Sequence, residues 1–98
     1  MVSPKFLAFQ AELDDTARKL KAYGFEFPIL RQLIVRYGAV KAAKMLLDDE
    51  NFHREGFLRL KDNKLLDYSV EQIVLNHEQS GLFSAFDIEV AKKRLGLS

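Results

Sequence analysis

Residues 27–47, FPILRQLIVRYGAVKAAKMLL, decide the fold that this sequence predicts. They form the most apolar part of the chain, and Gly38 divides them into two halves that each have the length of a short helix. Pro28 suits the start of the first half, because the N–H that proline lacks would have no partner in a first helical turn. The pattern predicts one helix from Pro28 to Gly38 and another from Ala39 to about Leu47.

Each of these helices carries an apolar face. The apolar positions of the first share one side, at the spacing of a helix face, and they are Leu30, Leu33, Ile34 and Tyr37. Ile29 and Val35 add a second apolar edge, so this helix is predicted to be central. The inward positions of the second helix are Val40, Ala43, Leu46 and Leu47.

The segment before this stretch predicts a long amphipathic helix from Pro4 to about Tyr23. Ser3 is a suitable N-cap, and Gly24 is placed to end the helix with Phe25 folding back on its last turn. Apolar or small positions recur at alternating steps of three and four residues, and they are Phe6, Phe9, Leu13, Thr16, Leu20 and Tyr23.

The segment after the stretch is more polar. Residues 48–51, DDEN, predict a turn, and a shorter helix is expected from His53 to about Lys61. Gly56 weakens that helix, because glycine is a poor helix former. Residues 61–64 predict a loop.

Two capping signals predict the last helices. Ser69 followed by Gln72 matches a capping box and predicts a helix from Val70 to about Glu78. Ser84 repeats the device before a helix that Gly96 ends. Since no segment alternates apolar and polar residues in the manner of a strand, the sequence predicts an all-α fold. We expect a compact orthogonal bundle of five to six short helices in a single domain.

The composition is that of a globular domain. Of 98 residues, 48% are hydrophobic and 30% are charged. The absence of cysteine excludes disulfides and thiolate metal sites, and it is typical of a reducing compartment, so we expect a cytoplasmic protein. The N-terminal residues do not resemble a secretory signal, and no run reaches the roughly 18 apolar residues of a membrane span, so no membrane association is expected.

The residue types of common active sites do not occur here in their usual spacing. His53 and His77 fall in different predicted helices, and neither belongs to a helical histidine pair. There is no glycine-rich phosphate loop and no serine in a glycine-flanked turn. Asp14 and Asp15 lie on the outer face of their predicted helix, whereas acid–base catalysis usually needs a desolvated pair. We therefore expect no enzyme, no cofactor and no metal.

The distribution of charge keeps a DNA-binding alternative open. The net charge is only +1, yet residues 27–47 hold four cations and no acid. Residues 37–47 look like the first part of a helix-turn-helix unit, although the three carboxylates of residues 48–51 would repel a phosphate backbone. On this hypothesis the anion or nucleic-acid contacts are Arg31, Arg36, Lys41, Lys44, Arg54 and Arg59.

The aromatic content favours a protein-interaction module instead. Eight phenylalanines and three tyrosines are more than a domain of this size buries easily, and exposed aromatic side chains are typical anchors for a partner. We therefore expect a protein partner or self-association. The candidate anchors lie near predicted helix ends, and they are Phe6, Phe9, Phe52 and Phe83.

Residues 25–97 also carry a pattern that resembles a family of small helical proteins and appended domains of bacteria and phages, without an agreed activity. The residues that carry the resemblance are Tyr37-Gly38, Ala43-Lys44, Leu46-Leu47, Gly56-Phe57, Leu66-Asp67, Val70-Glu71, Val74-Leu75, Leu82-Phe83 and Arg94-Leu95. The resemblance implies a compact helical domain in a prokaryotic cytosol. It implies no catalytic residues.

Overall fold

The regular structure of this protein is helical. The computed structural model describes residues 4–48 and 50–97, except for the side chains of residues 50–54. The elements are α1 (Pro4–Ala22), α2 (Pro28–Tyr37), α3 (Ala39–Asp48), α4 (Glu50–Asp62), a 3₁₀ turn (Leu66–Tyr68), α5 (Val70–Asn76), a second 3₁₀ turn (Glu78–Ser80) and α6 (Ala85–Arg94). No strand occurs in the described ranges. The all-α prediction is confirmed, while the predicted cap Ser3 lies outside the described residues.

The centre of the bundle is α3, which packs against each of the other five α-helices. Three of its buried side chains are alanines, Ala39, Ala42 and Ala43, and each is fully shielded from solvent. Small side chains let neighbouring helices approach closely, and Leu46 and Leu47 fill the space between them. The second half of the predicted apolar stretch therefore forms the core.

The first half contributes less to the core, to which it adds Leu30 with Leu33 and Ile34 packed against it, and the prediction that α2 is central is wrong. Leu30 is its one buried side chain, while Ile29 is 50% exposed and Val35 is 83% exposed. The reason is that the alanine face of α3 accepts helices on several sides, whereas α2 packs mainly on α3. Hydrophobic character alone did not distinguish the inner helix from the outer one.

Two predicted boundaries are also wrong. Asp48 and residues 50–51 are helical where a polar turn was expected, because α3 continues through Asp48 and α4 begins at Glu50, while Asp49 lies outside the described residues. Acidic residues also stabilise the positive N-terminal end of a helix, so the same residues suit the start of α4. Near the other end, α5 stops at Asn76, and Glu78–Ser80 form a 3₁₀ turn in place of its predicted last residues.

The connection between α2 and α3 depends on one glycine. Gly38 has φ 88° and ψ 164°, a backbone region that is open almost only to glycine. Its N–H donates to the Ile34 carbonyl at 2.9 Å, and its own carbonyl accepts from the Ala42 N–H at 3.0 Å. A single residue thus ends one helix and allows the next to begin at once.

Aromatic and polar contacts join α1 to the C-terminal helices. The Phe9 ring meets the rings of Phe83 and His77 edge-on, at centroid distances of 5.0 Å and 5.4 Å. His77 Nε2 lies 3.3 Å from Glu12 Oε1, and the Asn76 amide donates to Glu12 Oε2 at 3.0 Å. These contacts hold α1 against α5.

A half-buried arginine joins α6 to α3 and α5. The Arg94 guanidinium donates to the Leu46 carbonyl at 2.8 Å, to the Leu47 carbonyl at 3.1 Å and to Glu71 Oε2 at 3.1 Å. Since the last carbonyls of a helix have no partner within it, Arg94 of α6 caps the C-terminal end of α3. Glu71 fixes the same guanidinium from α5.

Candidate functional site

An apolar groove of about 650 Å³ runs between α1 and α2. Both helices pack against α3, and the groove is the space left between them. Leu60 of α4 and Tyr68 of the first 3₁₀ turn also border it. The principal apolar side chains of its lining are Leu20, Phe25, Leu30, Ile34, Val35 and Leu60.

The segment between α1 and α2 shapes one end of this groove. The Gly24 N–H donates to the Lys21 carbonyl and the Phe25 N–H donates to the Leu20 carbonyl, at 3.0 Å and 2.9 Å. This is the Schellman arrangement, and it confirms the predicted fold-back of Phe25. The turn places the Phe25 side chain in the lining of the groove.

The two edges of the groove differ in charge. On the α1 side, Asp15 pairs with Arg18 at 3.5 Å and with Lys19 at 3.3 Å. Lys21 pairs with Glu26 at 3.9 Å, so this side contains opposite charges that offset one another. The α2 side is cationic, because α2 contains two arginines and no carboxylate.

The structure places three of the predicted cations beside the groove. Arg31 lines it, and Arg31 and Arg36 share a shallow depression with Val35 on the outer surface of α2. The Arg59 guanidinium lies 5.2 Å from the centre of the Phe25 ring, in the geometry of a cation–π contact. These three arginines flank exposed apolar surface.

Of the other predicted cations, Lys41 and Lys44 do not line the groove. Lys41 Nζ lies 5.2 Å from the centre of the Tyr37 ring, at the far end of α2, and Lys44 is half-buried. The Arg54 side chain lies outside the described residues. In addition, α3 continues through Asp48 and α4 begins at Glu50, whereas helix-turn-helix units join their helices by a turn of three to four residues.

Two of the four predicted aromatic anchors, Phe9 and Phe83, are buried. Phe9 is 0% exposed and Phe83 is 6% exposed, because each ring packs against the other in the core. Neither side chain can contact a partner in this fold, which corrects the prediction. Phe6 is half-buried, and the Phe52 side chain lies outside the described residues.

The sequence reasoning missed the apolar residues that the surface does present. Val35 and Ile29 were assigned to the core as a second apolar edge of α2. Both lie off the main apolar face of that helix, and this position in the sequence pattern could have indicated that they are exposed. Phe86 of α6 is also exposed, but it does not line the groove.

Within the described ranges, no three His, Cys, Asp or Glu side chains lie close enough together to hold a metal ion. In the same ranges, Glu12 is hydrogen-bonded to His77 and Asn76, and the Asn76 side chain also accepts from Gln72. This series of side-chain hydrogen bonds contains no hydroxyl that His77 could activate as a nucleophile. Nor does any described helix have the length and hydrophobicity to cross a bilayer.

Comparison with protein-family models, with curated proteins and with solved structures finds no match to this chain. The family resemblance drawn from the sequence therefore stays a prediction. The functional proposal below rests on the groove and its charged edges.

Proposed function

We propose that this protein is a non-enzymatic interaction module that receives an apolar segment of a protein partner in the groove between α1 and α2. The observation that carries the proposal is Val35, which is 83% exposed at the edge of a groove lined by apolar side chains. Contiguous apolar surface with a polar rim is typical of interaction sites.

The exposure of Val35 favours a partner segment over a small molecule. Small-molecule sites have volumes of about 300–1,000 Å³, so the size of the groove alone does not distinguish the two. However, Val35 lines both the groove and the depression on the outer surface of α2. A molecule inside the groove would leave the outer side of Val35 in water, whereas a segment that extends over α2 would cover it.

Selection from a random peptide library displayed on phage tests the proposal, followed by titration of the selected peptides. We expect peptides whose affinity falls at least about tenfold, or 1.4 kcal/mol, on Val35→Asp. Phe86→Asp is the matched control, because it places the same charge at an exposed apolar side chain that does not line the groove. Backbone amide shifts of the wild-type protein should change along α1 and α2 on binding.

Three outcomes would contradict the proposal: no enriched peptides, peptides that tolerate Val35→Asp, or shifts confined to other helices. A dimer in light scattering that Val35→Asp dissociates would assign the groove to a second copy of the chain. Duplex DNA binding in fluorescence anisotropy, weakened steeply by salt and lost on Lys41→Glu with Lys44→Glu, would support the DNA-associated alternative instead.

A further inference from the structure

We infer that the partner segment is an acidic amphipathic helix, with its apolar face in the groove and its carboxylates along α2. This inference rests on the proposed function and adds the chemistry of the partner. The observation behind it is the difference in charge between the two edges of the groove.

The arginines of α2 are exposed and available. Among the described residues, neither Arg31 nor Arg36 forms an ion pair, while the cations of the α1 edge are engaged with Asp15 and Glu26. The two arginines flank Val35 in one depression, so a ligand that covers Val35 passes between two positive charges. Carboxylates on that ligand would meet both guanidinium groups, with bidentate geometry available to each.

The spacing of the arginines fits a helix. Arg31 and Arg36 are five residues apart in α2, which corresponds to a rise of about 7.5 Å along the axis and a rotation of about 140° around it. Val35 lies between them in the shared depression, so the two guanidinium groups approach a ligand over Val35 from opposite sides. Two carboxylates four residues apart on a partner helix span about 6 Å, within reach of two flexible arginine side chains. Helices that dock in grooves present apolar residues at steps of three and four, and an adjacent acidic stripe would then face α2.

The charges disfavour the competing occupants. A symmetric dimer through α2 would place Arg31 and Arg36 against the same residues of its copy, and juxtaposed like charges are costly at an interface. Nucleic acid would cover Val35 and Ile29 without burying them in an apolar environment. Asp14 lies on the α1 edge of the groove, where it would repel an acid, so the acidic stripe belongs along α2.

Three synthetic peptides of about 18 residues, long enough to form a helix, test the inference. All share leucines at helical spacing, and the flanking positions hold glutamate in one peptide, lysine in the second and glutamine in the third. Binding is measured by fluorescence anisotropy at about 0.1 M and about 1 M salt, because exposed charges interact over about 10 Å in the first and about 3 Å in the second.

We expect the glutamate peptide to bind at least about tenfold more tightly than the lysine peptide at low salt, and this preference to shrink at high salt. Arg31→Glu with Arg36→Glu should reverse the preference, and Arg31→Gln with Arg36→Gln should abolish it. Lys93→Glu is the control, since Lys93 is exposed on α6 and does not line the groove. Circular dichroism verifies that each variant is folded.

Two kinds of result would overturn the inference, and they separate it from the proposed function. Equal binding of all three peptides, lost on Val35→Asp, would mean that the groove binds apolar helices without selecting their charge. Failure of all three peptides to bind, or preference for lysine, would refute the acidic helix. The library selection would then decide independently whether the groove binds any segment.

Discussion

At the scale of a single residue, Arg94 connects α6 to α3 and α5, a role that the sequence around it does not indicate. Its side chain is 16% exposed and that of Glu71 is 1% exposed, so the ion pair between them is largely shielded from water. Breaking one side of such a pair leaves an uncompensated buried charge. In the sequence, Arg94 is a cation two residues before Gly96, and its role at the end of α3 depends on tertiary packing.

Arg94→Met should lower the free energy of unfolding by about 3–5 kcal/mol. The substitution removes the ion pair that Arg94 forms with the buried Glu71 carboxylate and the donors to the Leu46 and Leu47 carbonyls. Lys93→Met is the matched control at an exposed position and should change stability by less than about 0.5 kcal/mol. Urea unfolding followed by circular dichroism measures both, and equal midpoints for the two variants would refute the role of Arg94.

At the scale of the helix, the N-caps show what the sequence could predict. Ser84 Oγ accepts from the Asp87 N–H and Asp87 Oδ2 accepts from the Ser84 N–H, both at 3.1 Å. Ser69 Oγ accepts from the Gln72 N–H at 3.1 Å and donates to the Leu66 carbonyl at 2.7 Å. Both N-caps were predicted, because a cap depends on residues within a few positions of one another. The reciprocal capping box forms only at Ser84, since the Gln72 side chain donates to Asn76 Oδ1 instead.

Replacing either serine with alanine should destabilise the protein, and Ser69→Ala should do so more. Loss of an N-cap costs about 0.5–2 kcal/mol. Ser69 is fully buried and has two hydrogen bonds, so its substitution should fall at the upper end, whereas Ser84 is exposed and should fall near the middle. Thermal unfolding of the two variants compares them directly, and the reverse order would contradict the assignment.

Features that depend on packing between helices were not predictable in the same way. The sequence predicted two apolar helices, α2 and α3, and their hydrophobicity did not indicate which of the two the other helices would surround. The groove is harder still to predict from the sequence, because it depends on the distance between α1 and α2 where both pack on α3. Its charge asymmetry was partly foreseeable, since the acid-free run of residues 27–47 contains both Arg31 and Arg36.

At the scale of the whole molecule, the helices should differ in local stability. Five side chains of α3 are buried but only one of α2. Regions with few buried apolar contacts open more readily than the core. We therefore expect the backbone amides of α2 to exchange with deuterium at least about tenfold faster than those of α3. Exchange followed by NMR tests this, and equal protection would show that the two helices open as one unit.

The capping of α3 by Arg94 also bears on the order in which the chain folds. Arg94 follows Leu47 by 47 residues, so at a synthesis rate of 5–20 residues per second it leaves the ribosome roughly 2–10 s later. During that interval the nascent α3 lacks both the cap for its last carbonyls and the helix that packs over its C-terminal half. A ribosome stalled before Arg94 would therefore display an incomplete core, and a nascent-chain protease assay should find it sensitive until α6 has emerged.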